Sequence, residues 1–342
     1  MAEIEKFMNI AVGDIEKIMN IEKGDIAKVM GVELVTSIGY QGNRSLALGG
    51  FDDTYGSTEN IEYKALTSDG DTLDFGDAAW DGSDDKRSCG SDSRAVFMGS
   101  HDSEGGGLAD SNNTEYLTIA STGNGTEFGD LLVAGVTKAG GSGNGIRGLY
   151  VGGQLPSYSS TDQIQYLTVA TTGNTTDAGN LDRAANLTIA NANVAPGRMI
   201  CQMGNDASGY DNLDFNYTAI MSTDNADDFG DASVSIAMAQ PIGLSETRNV
   251  WAWGYGGGNH IDNMEYHNPS TLGNTTDFGD LQTIASNAAG KHTNGTRGET
   301  WGGEHAGSTK VQYITIASTG DATNAGDIPS GRRNGWDGWS GD

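Results

Sequence analysis

Ile164-Gln-Tyr166-Leu-Thr-Val-Ala-Thr-Thr-Gly173-Asn-Thr-Thr-Asp177 is one of six related stretches in a chain of 342 residues. The tyrosines that mark them are Tyr63, Tyr116, Tyr166, Tyr217, Tyr266 and Tyr313. Each copy opens with an arginine that leads a short apolar run into glycine, as in Arg147-Gly-Leu-Tyr-Val-Gly-Gly153. The six arginines are Arg44, Arg94, Arg147, Arg198, Arg248 and Arg297. A polar loop of variable length follows, then the tyrosine run, then a Gly-Asp turn such as Phe128-Gly-Asp130. A unit repeated every fifty residues or so cannot bury its apolar face alone and must stack on its neighbours.

Within each copy the runs are short, alternate in polarity and are bounded by Gly, Asn, Asp and Ser, which is the pattern of strands and turns. Such units, each with three or four runs, are propeller blades. The fold class read from this is all-β: a six-bladed β-propeller over residues 44–342, with a short α-helical N-terminal arm.

The order of parts resembles the kelch repeat, a family of propeller blades in which an apolar strand ends in a glycine pair and a tyrosine, a tryptophan and an arginine follow. Gly49-Gly50, Gly152-Gly153 and Gly302-Gly303 match the pair, and the six tyrosines match the tyrosine. The tryptophan position holds Phe75, Phe128, Ala178, Phe229, Phe278 and Ala325, and only Arg183 and Arg332 stand near the later arginine. The resemblance therefore implies a kelch-like architecture and carries over no kelch activity. Phrases such as Tyr116-Leu-Thr-Ile-Ala-Ser-Thr-Gly-Asn124 and Phe128-Gly-Asp-Leu131 look more like a group of bacteriophage virion proteins common in marine phages. That likeness implies a structural or appendage role on a particle.

Repetition also sets expectations for packing. The recurrent arginines are expected to contact the Gly-Asp acids Asp77, Asp130, Asp231, Asp280 and Asp327, with Asn180 once in their place. The six tyrosines are expected to be mainly buried, their hydroxyls bonded to backbone or to a neighbouring blade. Two segments, residues 33–43 and the tail 328–342, align with the stretch that precedes each arginine and compete to close the ring.

Residues 1–32 carry a second repeat, of eleven residues: Glu3-Ile-Glu-Lys-Phe-Met-Asn-Ile10, Asp14-Ile-Glu-Lys-Ile-Met-Asn-Ile21 and Asp25-Ile-Ala-Lys-Val-Met-Gly-Val32. Apolar residues at i, i+3 and i+4 are helical spacing. Helices this short are marginal alone, so Ile4, Phe7, Ile15, Ile18, Met19, Ile26 and Val29 need apolar partners. The expected role is assembly, through copies of the same arm or docking on a larger particle. Residues 33–43 then serve as a linker or closing strand.

A formal net charge of -27 disfavours nucleic acid and anionic membrane as partners, because both need clustered cations. No apolar run approaches the length of a membrane span, and the N-terminus has no basic leader before an apolar block, so no signal peptide is expected. Cys89 and Cys201 fall nearly half a ring apart, too far for a disulfide. The histidines His101, His260, His267, His292 and His305 are scattered over different copies, and neither His-Glu-x-x-His nor Cys-x-x-Cys occurs. No Gly-x-Ser-x-Gly elbow occurs either. The Asp-rich loops Asp69–Asp74 and Asp224–Asp228 read as turns in which Asn and Asp bond their own backbone, ahead of calcium sites. Neither a catalytic set, nor a metal site, nor a cofactor is expected.

Sites belong where copies differ. Copy five reads Arg248-Asn-Val-Trp-Ala-Trp-Gly-Tyr255, with Trp253 where most copies have glycine, and His260 follows. Trp253, Tyr255 and His260 are thus a candidate carbohydrate platform. The resulting expectation is a virion structural or appendage protein, such as a tail fibre or capsid decoration. It would be made in the host cytoplasm without a signal peptide. Its arm would fix it to capsid, neck or tail proteins and to copies of itself, and its propeller would face a host-surface glycan or a neighbouring protein. The alternatives are a propeller-based glycan-degrading enzyme and a sugar-binding lectin.

Overall fold

The protein's computed structural model describes residues 42–52, 56–80, 85–99, 112–134, 136–193, 197–206, 212–256, 259–303, 309–329, 331–333 and 337–341. The arm residues Ile4, Phe7, Ile15, Ile18, Met19, Ile26 and Val29 lie outside them, as does the linker up to residue 41.

Six antiparallel sheets carry the four-stranded core of one blade each. The second strands begin at the repeated arginine or one residue after it: Arg44–Leu48, Arg94–Met98, Arg147–Val151, Arg198–Gln202, Asn249–Ala252 and Arg297–Trp301. Third strands carry the tyrosines, as in Asn113–Thr118, and outer strands hold the Gly-Asp turn, as in Thr126–Asp130. The innermost strands are Arg87–Gly90, Gly140–Gly143, Ile189–Asn193, Gln240–Leu244, Ala289–Thr293 and Asp337–Gly341. These six touch one another in a closed circle around the axis, so the molecule is a six-bladed β-propeller, compatible with a kelch-like one.

The last of those inner strands belongs to the first blade. Asp337–Gly341 pairs antiparallel with Arg44–Leu48, from Leu48 opposite Asp337 to Arg44 opposite Gly341. The C-terminal segment therefore holds the closing slot. Trp339 is fully buried there and donates its Nε1 hydrogen to the Ser91 carbonyl of the second blade at 3.0 Å.

Every blade is locked to the next by the same set of bonds. The backbone N–H of Asp77 donates to Asn124 Oδ1 at 3.2 Å, Asp130 to Asn174 at 3.1 Å, and Asn180 to Asn225 at 3.1 Å. Asp231 donates to Asn274 at 3.0 Å, Asp280 to Asp321 at 3.1 Å, and Asp327 to Asp71 at 3.0 Å, which completes the circle. Backbone bonds run beside each staple, for example Gly173 N–H to the Phe128 carbonyl at 2.8 Å and Thr175 N–H to the Asp130 carbonyl at 2.8 Å.

The arginines correct the expected Arg-to-Asp ring. Each guanidinium lies over the face of its own blade's tyrosine, from 3.7 Å for Arg297 on Tyr313 to 4.7 Å for Arg248 on Tyr266. Arg44, Arg94, Arg147 and Arg248 then donate to turn carbonyls in the next blade, as in Arg94 to Val169 at 2.9 Å. Arg297 finds acids, but they are Asp69 and Glu299 rather than a Gly-Asp residue. A guanidinium satisfies its planar fork on carbonyls as well as on carboxylates, and the tyrosine face rewards its weak hydration. The tyrosines are half-buried rather than buried. In four blades the ring edge meets a phenylalanine, as in Tyr116 and Phe128 at 6.2 Å between centroids.

A further repeated position went unread in the sequence. The residue before each tyrosine is Glu62, Glu115, Gln165, Asn216, Glu265 or Gln312, and all six are buried. Five of them accept the backbone N–H of the preceding blade's connector: Ala79, Leu132, Asp182, Ser233 and Thr283. Glu62 instead accepts from the Arg332 guanidinium at 3.1 Å.

Candidate functional site

The strand polarity gives the ring two unlike ends. Short turns between inner and second strands and between third and outer strands share one end. The other end carries the long connections, namely the hairpins between second and third strands and the returns from outer strands to the next blade.

At the hairpin end, four hairpins clasp the connector of the preceding blade. Phe51–Asp52 pairs with Gly56–Ser57 and with Arg332–Arg333, and Asn205–Asp206 pairs with Ala185–Asn186. Tyr255–Gly256 pairs with Asn259–His260 and with Ile236–Ala237, while Gln154 bridges Thr137 and Ser160. Clasping fixes the base of each hairpin to a rigid ring, while the loop sequences differ from blade to blade. Loops so positioned are the usual carriers of binding function.

The axis at this end carries charge from three consecutive blades. Lys291 of blade six forms a buried ion pair with Asp337 of blade one, which also accepts Ser88 N–H at 2.9 Å and Ser88 Oγ–H at 3.0 Å from blade two. Arg87, beside them, donates to the Ala139 carbonyl at 2.6 Å and the Lys86 carbonyl at 2.9 Å. Lys291 sits at φ +63° in the irregular pairing between Ala289 and His292, and burial pulls its ammonium below the ordinary lysine range while Asp337 opposes that pull. The cavity they line with Gln240 and Pro241 offers about 20 Å³ to the centres of water-sized occupants, little more than one water. With Lys291, Asp337 and Ser88 bonded to one another, the axial group ties the closing strand to blades two and six.

The candidate platform in blade five is divided. Trp253 is fully buried, packed with Trp251, Phe215 and Phe229 in one core cluster, so it fills the gap that glycine leaves elsewhere and offers no open face. Tyr255 and His260 do come together, with ring centroids 5.1 Å apart at the base of their hairpin. His260 Nδ1 is 2.6 Å from Ser286 Oγ, and that hydroxyl donates to the Gly254 carbonyl at 2.7 Å. Ser286 has a single proton, so the histidine is the donor of the pair and the serine is held as a structural acceptor.

A second Ser–His pair, Ser45 with His292 Nδ1 at 2.6 Å, is fully buried under Trp301, which stacks on His292 at 3.9 Å. His267 is enclosed by Phe215, Phe229 and Trp251, and this burial pushes its imidazole down to about 3. Both cysteines are buried free thiols, and burial raises their pKa. Among the described residues, no His, Cys, Asp and Glu side chains cluster in a way that could hold a metal ion, and no helix is long and apolar enough to cross a membrane.

One described hairpin tip stands apart. Tyr158 is 75% exposed, the highest value among the exposed large apolar side chains of the described residues, and the only aromatic among them. Sequence reading passed over it because it lies in a loop that does not repeat; its signal was an aromatic set between Ser157 and Ser159.

No protein-family model matches the chain, and no curated protein matches it. Fold and site together define a class by architecture: a β-propeller whose blades are stapled by repeated bonds and whose hairpins vary at one end.

Proposed function

We propose that the protein is a binding scaffold, a structural or appendage protein of a bacteriophage virion. Its N-terminal residues 1–32 would fix it to the particle, among copies of itself and beside capsid, neck or tail proteins. Its hairpin end would meet a host surface or a neighbouring protein. The observation that carries this reading is the contrast between a ring locked by the same bonds in every blade and hairpins that differ in every blade. Arg44, where the first strand begins, lies at the short-turn end opposite Gly341. The likeness of the repeat wording to phage virion proteins supplies the particle. The charge of -27 supports solubility in a crowded array and disfavours nucleic acid and anionic membranes as partners.

Deleting residues 1–32 tests the reading. The truncated protein should fold and stay soluble but be missing from particles in gradient sedimentation, while the full chain co-sediments. Ile15, Ile18 and Met19 changed together to Ser should act in the same way. Co-sedimentation of the truncated form would move attachment into the blades. Particles that never contain the full chain would sink the virion reading.

A further inference from the structure

The geometry points to the blade-three hairpin tip as a carbohydrate-binding subsite, with the ring of Tyr158 as its platform and a neutral polysaccharide as its ligand. This rests on the binding-scaffold reading and names its ligand class. Tyr158 has φ +63°, a region disfavoured for a bulky residue, and yet its ring is left in solvent. That conformation is the one the third residue of a three-residue hairpin loop adopts, and it leaves the ring at the tip.

The surrounding loop is fixed in advance of any ligand. Leu155 N–H donates to the Ser159 carbonyl at 2.8 Å, Tyr158 N–H donates to the Leu155 carbonyl at 2.8 Å, and Leu155 itself packs on the core. Asn186 Nδ2, in the connector that leaves the same blade, donates to Ser160 Oγ at 2.7 Å. Pre-ordering of this kind lowers the entropic cost of binding.

The chemistry of the tip selects the ligand. From Gln154 to Thr161 the segment has no charged residue, whereas Asp52 and Asp206 lie in the hairpins of blades one and four. Ser157 and Ser159 share a hydroxyl bond of 2.7 Å beside the ring, and Lys138 is engaged by Gln154 at 3.1 Å. An aromatic face edged by hydroxyls and an amide suits the C–H face and hydroxyl rim of a pyranose. A convex tip covers little of its ligand, so one copy binds weakly and a many-copy particle gains by avidity.

Affinity electrophoresis of the full chain through gels containing dextran, starch, galactomannan or soluble chitin oligomers provides the test, with alginate as the anionic control. At least one neutral polymer should retard the protein and alginate should not. Tyr158→Ala should weaken retardation at least about ten-fold, and Tyr158→Phe should stay within about three-fold because the ring remains. Tyr158→Gly should also lose binding while its unfolding midpoint stays level or rises, since glycine accepts φ +63°. A drop in that midpoint would mark Tyr158 as structural and overturn the inference. So would equal retardation of Tyr158→Ala, or the absence of retardation by every neutral polymer. Tyr158-dependent capture by a protein alone would overturn the ligand class. Cell adsorption that survives Tyr158→Ala but needs other hairpins would sink this inference and leave the broader reading standing.

Discussion

Gly129 shows how closely the blades approach. Its φ is +154°, and a β-carbon there would lie 2.4 Å from the Gly173 carbonyl oxygen of the next blade. Gly123 has nearly the same backbone, φ +157°, with nothing within 4 Å. Gly129→Ala should therefore cost about 2–4 kcal/mol and Gly123→Ala about 1 kcal/mol, read by chemical denaturation. Equal losses would mean that the close approach between blades contributes nothing.

His267 offers a pH test of the buried aromatic cluster. Burial holds it near 3, against 6.5 for the free imidazole, so between those values the unfolded chain binds a proton that the folded one refuses. Stability should fall as pH drops below 6.5, by about 1.4 kcal/mol per unit well below that value. His292, lowered by burial and by Lys64 and Lys291, adds to the same trend. Asp231 and Asp280, raised by burial and by neighbouring carboxylates, act oppositely just above the ordinary aspartate range. His267→Phe should flatten the acid limb of a midpoint-versus-pH curve. An unchanged limb would show that His267 is protonated in the fold.

The residues that mark each copy were legible from spacing alone; their partners were not. Arginine was assigned to acids because acids recur at fixed distance along the chain, yet its real partners are the tyrosine one strand away and carbonyls one blade away. Glu115 and its equivalents carry no mark of burial in the sequence, because polar positions of an alternating strand ordinarily face solvent. In a stack of blades both faces of a sheet are covered, so alternation no longer reports exposure. Trp253 read as a platform for the same reason: an aromatic in place of glycine signals either an open face or a filled gap.

At the scale of elements, the closing strand joins the two ends of the described propeller in one blade. The tail was legible as one of two rivals for the slot, because it aligned with the segment before each arginine. The lock that seats it was not legible, since Lys291, Asp337 and Ser88 come from three blades and share no motif. Asp337→Leu should cost about 3–5 kcal/mol by leaving a buried ammonium unpaired, and adding Lys291→Met should recover much of the loss. A double-mutant cycle in denaturant reads the coupling. Additive losses would show that the pair does not interact. Removing residues 337–342 should lower the unfolding midpoint sharply and expose an unpaired strand edge at Arg44–Leu48.

At the scale of the whole molecule, the proposed binding role falls to the hairpins that vary, and the bonds that hold the ring run along its whole height. Bonds that repeat build a rigid support, and hairpins that do not repeat sit on it. The direct measurement is adsorption of purified protein to host cells of the proposed particle, comparing the two ends at matched stability. One variant replaces residues 154–161 and 255–260 with Asn-Gly turns. The other carries Thr122→Lys, Thr172→Lys and Thr319→Lys at exposed short-turn positions. Hairpin replacement should abolish adsorption with the ring still folded, and the lysine variant should adsorb as the wild type does. Full adsorption without those hairpins would contradict binding by blades three and five, and its loss through the lysines alone would contradict the placement of binding at the hairpin end.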